Sequence, residues 1–372
     1  YRMADIVNEI SDEAEASPAA AEQFVDDKKE QVVRRENNIT LLLGHHAYGL
    51  EMDGKDIAAV KLLDIKTGQL KRLKGTLFAD CTGHGFIGQW AGADLTMPDK
   101  GRMGMSNMWM WKNETTPQSF PEQAWMLPLK EEAFPYPQRG HAEWFWEGGF
   151  DRHPIDDLEQ IRDWNLLASF SAWNAIKNHG AFANRDENQH ANARLEWMAY
   201  IGGTRETQQL LGEVILNDVD IVEKKEFPDA CVPTTWSIDL HIPHPTYTPF
   251  TPDQPFISKA IHRRAVDRLV GYPIPYRCFY SRNIPNLFMA GRNISVTREA
   301  LGTIRVMKTI GMMGAAVGRA AAVCKIHDCL PKDVYHQHLD EVKNLCRLPG
   351  DTRFTSEDEL RQALTTTPAA VN

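Results

Sequence analysis

The chain has 372 residues, of which 42% are hydrophobic and 24% charged, and its 50 acidic against 41 basic side chains leave a net charge of −9. That length buries a sizeable core in one large domain with an insertion, or in two domains sharing a sheet, and excludes a small scaffold stapled by disulfides. The acidic balance, without a Lys/Arg-rich stretch interleaved with aromatics, argues against nucleic acid as a partner, and no long uninterrupted apolar run marks a membrane span, so the protein reads as soluble.

The six cysteines, Cys81, Cys231, Cys278, Cys324, Cys329 and Cys346, include no CxxC pair. No zinc site and no iron–sulfur cluster is supported, and no metal is assigned. A disulfide framework is equally unsupported at this density, which leaves the redox compartment open. Residues 1–10 have no Met at position 1, no basic segment and no apolar leader segment. The chain is therefore expected to begin within a longer protein, and its localisation stays unknown.

Residues 11–36 are rich in Ala, Glu, Asp and Lys and predict a solvent-facing helix or a mobile approach segment. Residues 39–43, 47–52, 57–65 and 69–73 are short β-prone runs punctuated by Asp53-Gly54 and Thr67-Gly68, which predicts a small antiparallel meander. Residues 77–79 read as a buried strand that empties into Asp80-Cys81-Thr82-Gly83-His84-Gly85, with a helix-compatible run over 86–92 behind it. The stretch 101–275 changes character: it holds nine of the ten tryptophans, with helical patterns over 158–178 and 192–216, and it predicts an inserted domain. Residues 286–290 are a second short buried strand, followed by Gly291 and a helix over about 303–326. Gly302, Gly311, Gly314 and Gly318 make that helix smooth on one side, which permits close approach to a strand or a ligand.

In open α/β sheets cofactors lie outside the carboxyl ends of the strands, where glycine lets backbone amides approach a phosphate or a ring edge. Either glycine turn alone is as consistent with a tight structural turn. Their combination points to a cofactor.

The segment 77–85, followed much later by Ala290-Gly291-Arg292-Asn293-Ile294-Ser295 and Ala300-Leu301-Gly302-Thr303-Ile304-Arg305-Val306-Met307, resembles the FAD-dependent oxidoreductases with a glutathione-reductase-like FAD domain. Within them it is most similar to the branch containing relatives of the heterodisulfide reductase flavin subunit. The resemblance covers about 38–350 and implies an α/β fold: a FAD/NAD(P)-binding Rossmann-like domain, incomplete at its N-terminus, with an inserted α+β substrate or cap domain. The implied divisions are 1–100 (FAD-binding, first part), 101–275 (cap), 276–330 (FAD-binding, C-terminal part) and 331–372 (helical tail). FAD is the implied cofactor, with Ala47 on the adenine side, Thr82 and Gly83 at the adenosine and pyrophosphate, and Gly291 and Arg292 at the ribityl and pyrophosphate region. Gly302, Thr303 and Arg305 would stand where a helix N-terminus faces the flavin, whose reduced form a helix dipole stabilises. The chain departs from the family at His84, where an acid is frequent, and at Arg292-Asn293. It also lacks the GxGxxG unit that the family places before the meander, so this fragment is expected to bind FAD poorly.

Hydride transfer to flavin N5 needs a base for the substrate proton and a cation or donor to hold the substrate in line. His241, in Asp239-Leu240-His241, is a candidate base with Asp239 or a backbone group as orienter; a packed or surface histidine would look the same. Arg205, Arg277 and Arg305 are candidate anchors or neighbours of the flavin charge, or equally buried arginines pairing with an acid such as Glu206. Trp109, Trp111, Trp144, Phe145 and Trp146 could wall a ring-bearing substrate, although the area an indole buries favours core packing for most of them. The expected function is a hydride-transferring FAD oxidoreductase acting on a small polar molecule, sugars included, with acceptor and oligomeric state open. Its rivals are an electron-transfer flavoprotein subunit and a binding protein that has lost FAD.

Overall fold

The computed structural model describes residues 2–14, 19–130, 146–179, 190–244, 254–264 and 266–366. The helices are α1 (Asp5–Ile10), α2 (Asp26–Arg34), α3 (Phe86–Ala91), α4 (Leu158–Asn178), α5 (Asp218–Val222), α6 (Arg298–Ile304), α7 (Met307–His327), α8 (Pro331–Gln337), α9 (Leu339–Arg347) and α10 (Glu357–Thr365). The first eight strands are β1 (His45–Asp53), β2 (Asp56–Asp64), β3 (Leu70–Lys74), β4 (Phe78–Asp80), β5 (Leu95–Thr96), β6 (Met105–Ser106), β7 (Trp109–Asn113) and β8 (Glu147–Gly148). The other eight are β9 (Ala193–Met198), β10 (Gly203–Thr204), β11 (Gln209–Leu210), β12 (Ala230–Thr234), β13 (Ile238–Pro243), β14 (Ser258–Arg263), β15 (Tyr272–Pro275) and β16 (Leu287–Met289).

The meander forms as its turns dictate. β1, β2 and β3 pair antiparallel in that order, with Gly54 (φ +61) and Gly68 (φ +74) taking the left-handed turn positions. Ile57, Ala59 and Leu62 of β2 are buried while Leu70 and Leu73 of β3 stay exposed, so burial falls off from the middle strand of the meander to its edge. Residues 39–43 are turn and coil rather than the expected strand, and both Ile39 and Leu43 are exposed; without burial or a ladder partner, β-propensity does not hold a strand.

β4 runs parallel to β16 in the register Phe78 to Leu287, Ala79 to Phe288 and Asp80 to Met289. Both glycine turns therefore leave the same end of this pair. The remaining pairings are short and antiparallel: β6 between β10 and β8, and the pairs β5–β11, β12–β15, β13–β14 and β7–β9. The stretch 192–216, expected as helix, contributes β9, β10 and β11 instead. Its Leu195 and Trp197 find a ladder against Trp111 and Met110 of β7, and Gly202-Gly203 breaks any helical run.

Two corrections concern the C-terminal helix. It starts earlier than expected, at Arg298, and is broken: α6 ends at Ile304, Val306 is extended (φ −73, ψ 142), and α7 restarts at Met307. On α7 the glycines divide. Gly311 packs against Val7 of α1, whereas a side chain at Gly314 or Gly318 would meet no atom within 4 Å. α7 has the length and composition of a membrane span, yet Met312, Met313, Ala316, Val317, Ala320, Val323 and Cys324 are buried in the core, as in the interior helix of a globular fold.

The principal hydrophobic core joins β16, α6, α7, α9 and the strands β12 and β15 through Leu287, Phe288, Met289, Leu301, Val232 and Ile274, among others. A second cluster is built from Trp109, Trp146, Trp173, Phe256 and Ile257 around α4, the helix that spans 158–178 as its sequence pattern predicts. α2 buries none of its residues, in keeping with a solvent-facing segment, while α1 is packed through Val7.

Candidate active site

The first turn is fastened by a carboxylate. Asp80, fully buried at the end of β4, accepts hydrogen bonds from Thr82 N (3.0 Å) and Thr82 Oγ1 (2.7 Å) through Oδ1, and from Gly88 N (3.0 Å) through Oδ2. Thr82 Oγ1 in turn accepts from His84 N and Phe86 N, satisfying the open amides at the start of α3. The second turn is tied to the first: Ala290 N and Asn293 Nδ2 both donate to the carbonyl of Asp80. Gly83 (φ +71) and Gly291 (φ +123) lie side by side, since a Cβ on Gly291 would sit 3.9 Å from Gly83 Cα.

Over Gly83 lies the Arg292 guanidinium, whose Nη2 would be 2.8 Å from a Cβ placed there. Its Nε is buried without a hydrogen-bond partner, and among the described residues no carboxylate pairs with it. Burial alone pulls its pKa down from the usual arginine value, and burial, then Arg292 itself, holds His84 below the ordinary histidine value. A desolvated guanidinium above a bare glycine backbone calls for an anion. The residues present thus fit a phosphate-bearing group.

Ala47 lies on β1 at a bulge, opposite Leu62 and one residue before the register shift, and α3 packs against this strand. Gly302 and Thr303 are placed differently from expectation. Gly302 is inside α6, where a Cβ would come within 2.9 Å of Asp239 N, and Thr303 Oγ1 donates to Trp236 O (2.6 Å). Both dock α6 onto β12 and β13. Of the two helices, α6 is capped by Thr297, whereas α7 starts without a side-chain cap at Val306 and the exposed Met307.

The second constellation is a buried chain of charges. Glu147, inaccessible in β8, accepts from His241 Nδ1 (2.8 Å) on Oε1 and pairs through the same oxygen with Arg205 Nη1 (2.5 Å). Because a carboxylate only accepts here, Nδ1 carries the proton. Strand alternation puts Asp239 and His241 on one face of β13, and His241 Nε2 lies 3.5 Å from Asp239 Oδ1. Directly across the ladder from Asp239 is His262, with Nδ1 3.5 Å from the same oxygen. Arg305, turned inward at the break between α6 and α7, donates to the carbonyl of Asp239 (3.2 Å) and has its Nη2 3.9 Å from the carboxylate.

Burial is the largest influence on His241 and opposes its charging, but the hydrogen bonds to Asp239 and Glu147 outweigh it and raise its pKa above 6.5. For Asp239 burial again comes first and pushes upward; His241, Arg305 and His262 together pull the carboxyl below its ordinary value. Arg305 is pushed down to about 10 by burial and by Arg205. Perturbed groups converging at one place make this cluster a candidate reactive site; a structural ion-pair network would perturb them as well.

His241, Arg205 and Arg305 are thus brought together, and Arg277 is not among them. Its guanidinium makes a two-pronged pair with Asp229, Nε to Oδ2 and Nη2 to Oδ1 at 2.9 Å each, and lies over the Tyr335 ring. Glu206 pairs with none of these three arginines: its Oε2 accepts from Met103 N (2.9 Å) and pairs with Arg298 (3.4 Å). Glu147 and His262 were not singled out from sequence. Glu147 reaches His241 across 94 residues of chain, and the one local signal is an acid inside the aromatic Trp146-Glu147-Gly148 run. Of the aromatic group, Trp109 and Trp146 lie in the second core and Trp111 packs on it; Trp144 and Phe145 fall outside the described residues. His327, His338 and Glu341 also gather potential metal ligands, but the two imidazoles stack at 3.8 Å and 15°, which sets their ligand lone pairs side by side rather than toward one point.

A parallel strand pair with adjoining glycine turns, a meander and a buried arginine over a bare glycine backbone describe an α/β protein fit for a phosphate-bearing cofactor, with a charged cluster built from other strands. Residues 7–345 match the family described as FAD dependent oxidoreductase, and the chain belongs to it. It is an FAD-dependent oxidoreductase with the FAD-binding Rossmann-like α/β fold of that family. No curated protein and no solved structure matches the chain.

Proposed function

We propose that the protein transfers a hydride between a small polar organic substrate and flavin N5, with His241 as the acid–base group. The observation that carries this reading is the buried Glu147–His241–Asp239 chain flanked by Arg205 and Arg305. Bound FAD supplies a two-electron acceptor. Ala47, Thr82, Gly83, Gly291 and Arg292 would hold it, Arg292 by its unsatisfied guanidinium. Residues 101–275 act as the cap, 1–100 and 276–330 as the FAD-binding parts and 331–372 as the tail. The block 290–307 supports a place beside the relatives of the heterodisulfide reductase flavin subunit.

In the reaction Glu147 fixes the His241 ring through Nδ1, so the substrate proton is taken at Nε2, beside Asp239. From there Asp239 offers the proton a path to His262, which is half exposed. Arg205 and Arg305 balance the buried Glu147 and the partly buried Asp239, so the site can charge and discharge without an isolated buried ion.

The test is anaerobic mixing of the flavin-loaded protein with panels of hydroxy acids and sugars, following bleaching of the visible bands. His241→Gln should slow bleaching by the active substrate about a hundredfold or more, the usual contribution of a positioned acid or base, with FAD content unchanged. Equal rates in the two proteins would remove His241 from the chemistry.

A further inference from the structure

Beside Asp239 a cavity of 390 Å³ is lined by Trp236, Ser237, His262, Arg264, Val266 and Arg268. It touches the buried charge chain at two points: His262 faces Asp239 Oδ1 at 3.5 Å, and Trp236 Nε1 lies 3.4 Å from Asp239 Oδ2. Its size is within the range of small-molecule sites.

The charge on its wall is unusual for this chain. Arginines elsewhere are mostly held by acids: Arg263 by Asp218, Arg277 by Asp229, Arg282 by Asp94, Arg298 by Glu206 and Arg353 by Glu9 and Glu36. Arg264 and Arg268 have no carboxylate within ion-pair distance among the described residues. The one acid between them, Asp267, spends Oδ1 on the amides of Leu269 (2.7 Å) and Val270 (3.0 Å) of its own turn. Arg268 is held by stacking instead, its guanidinium 4.4 Å from the centre of the Trp236 ring, an arrangement that leaves all its N–H donors in the ring's neighbourhood available.

We propose that this cavity holds the anionic end of the substrate, an organic carboxylate, with Arg264 and Arg268 as its clamp and Trp236 as the wall along which the carbon skeleton runs past Asp239 toward His241. The inference rests on the acid–base reading of His241 and narrows its substrate from polar molecules in general to organic acids. A planar fork matches a carboxylate in two-pronged fashion, and a neutral sugar would leave both guanidinium groups unanswered.

Calorimetric titration of the purified protein with benzoate tests this, with benzamide as the uncharged isostere and inorganic phosphate as the competing anion. Benzoate should bind, benzamide at least about tenfold more weakly, and phosphate more weakly than benzoate. Arg264→Gln and Arg268→Gln should each weaken benzoate about tenfold, the usual scale of one charge-assisted contact. Arg263→Gln, whose guanidinium Asp218 already holds, should leave it unchanged, and circular dichroism checks folding in each variant. Benzamide binding as well as benzoate, an unaffected Arg264→Gln/Arg268→Gln double variant, or no benzoate binding overturns the proposal; phosphate binding more tightly replaces the carboxylate class. The readout is heat, not flavin reduction, so its failure leaves the His241→Gln bleaching result standing, and the converse.

Discussion

At the scale of single residues the charged cluster depends on Glu147. Its hydrogen bond and its charge both favour the protonated form of His241, against the burial that disfavours it. Glu147→Gln keeps the shape and removes the charge, so the His241 pKa should fall; an NMR titration of ¹⁵N-histidine-labelled protein would reveal an unmoved resonance if the pairing is not formed in solution. The sign for stability follows. A histidine whose folded pKa is raised stabilises the fold fully below its unfolded value, about 6.5, and loses this as pH rises through the folded pKa. Asp239, with its pKa lowered, stabilises above about 3.9 and loses this as pH falls. Their joint contribution is therefore complete between those two values. The destabilisation caused by His241→Gln should be largest near pH 6 and shrink by pH 9 in urea titrations. Gly83 offers a second residue-scale prediction: Gly83→Ala adds a strained left-handed residue and a methyl 2.8 Å from Arg292, so the FAD affinity read by fluorescence titration should fall about tenfold or more, equivalent to ~1.4 kcal/mol.

Among the elements, the α6–α7 break shows how far sequence reading reaches. The turns at 80–85 and 290–293 were legible because their glycines at positive φ, and the acid that caps the first turn, are local, whereas the bonds from Ala290 and Asn293 that tie the second turn to Asp80 were not. The break at Arg305-Val306 was not. Neither residue is a helix breaker, and the chain bends there because Arg305 is drawn to Asp239, a contact across 66 residues. The misread stretch 192–216 has the same origin, since β9 exists only against β7. In the candidate site, His241, Arg205 and Arg305 were visible as residue types, while their partners Glu147 and His262 were fixed by strand pairing. Two glycines in the same stretch now predict opposite outcomes. Gly302→Ala would press a methyl against the Asp239 backbone at 2.9 and 3.0 Å and should cost about 1–3 kcal/mol, the usual price of overpacking. Gly314→Ala on α7 meets nothing and should stabilise by about 0.5–1 kcal/mol through helix propensity. Urea midpoints moving the same way in both would contradict this placement of α6.

Over the whole molecule, the two hydrophobic clusters divide the labour. The principal core carries the parallel pair, α6, α7 and the C-terminal helices, and so fixes both glycine turns. The second cluster, Trp109, Trp146, Trp173 and Phe256 about α4, backs β8 and with it Glu147. Clusters with separate apolar contacts can unfold as separate cooperative units. Trp173, almost completely buried, touches Trp109, Trp111 and Phe120, and Trp173→Ala should remove about 3–5 kcal/mol from the second cluster. Nine of the ten tryptophans lie in 101–275, so their fluorescence reports chiefly on that region, whereas flavin release reports on the turns held by the principal core. In the variant the fluorescence transition should move to lower urea while flavin release keeps its midpoint. A coincident shift of both probes would mean that the clusters fold as one unit, and that Glu147 is held by the same cooperative structure that carries the cofactor turns.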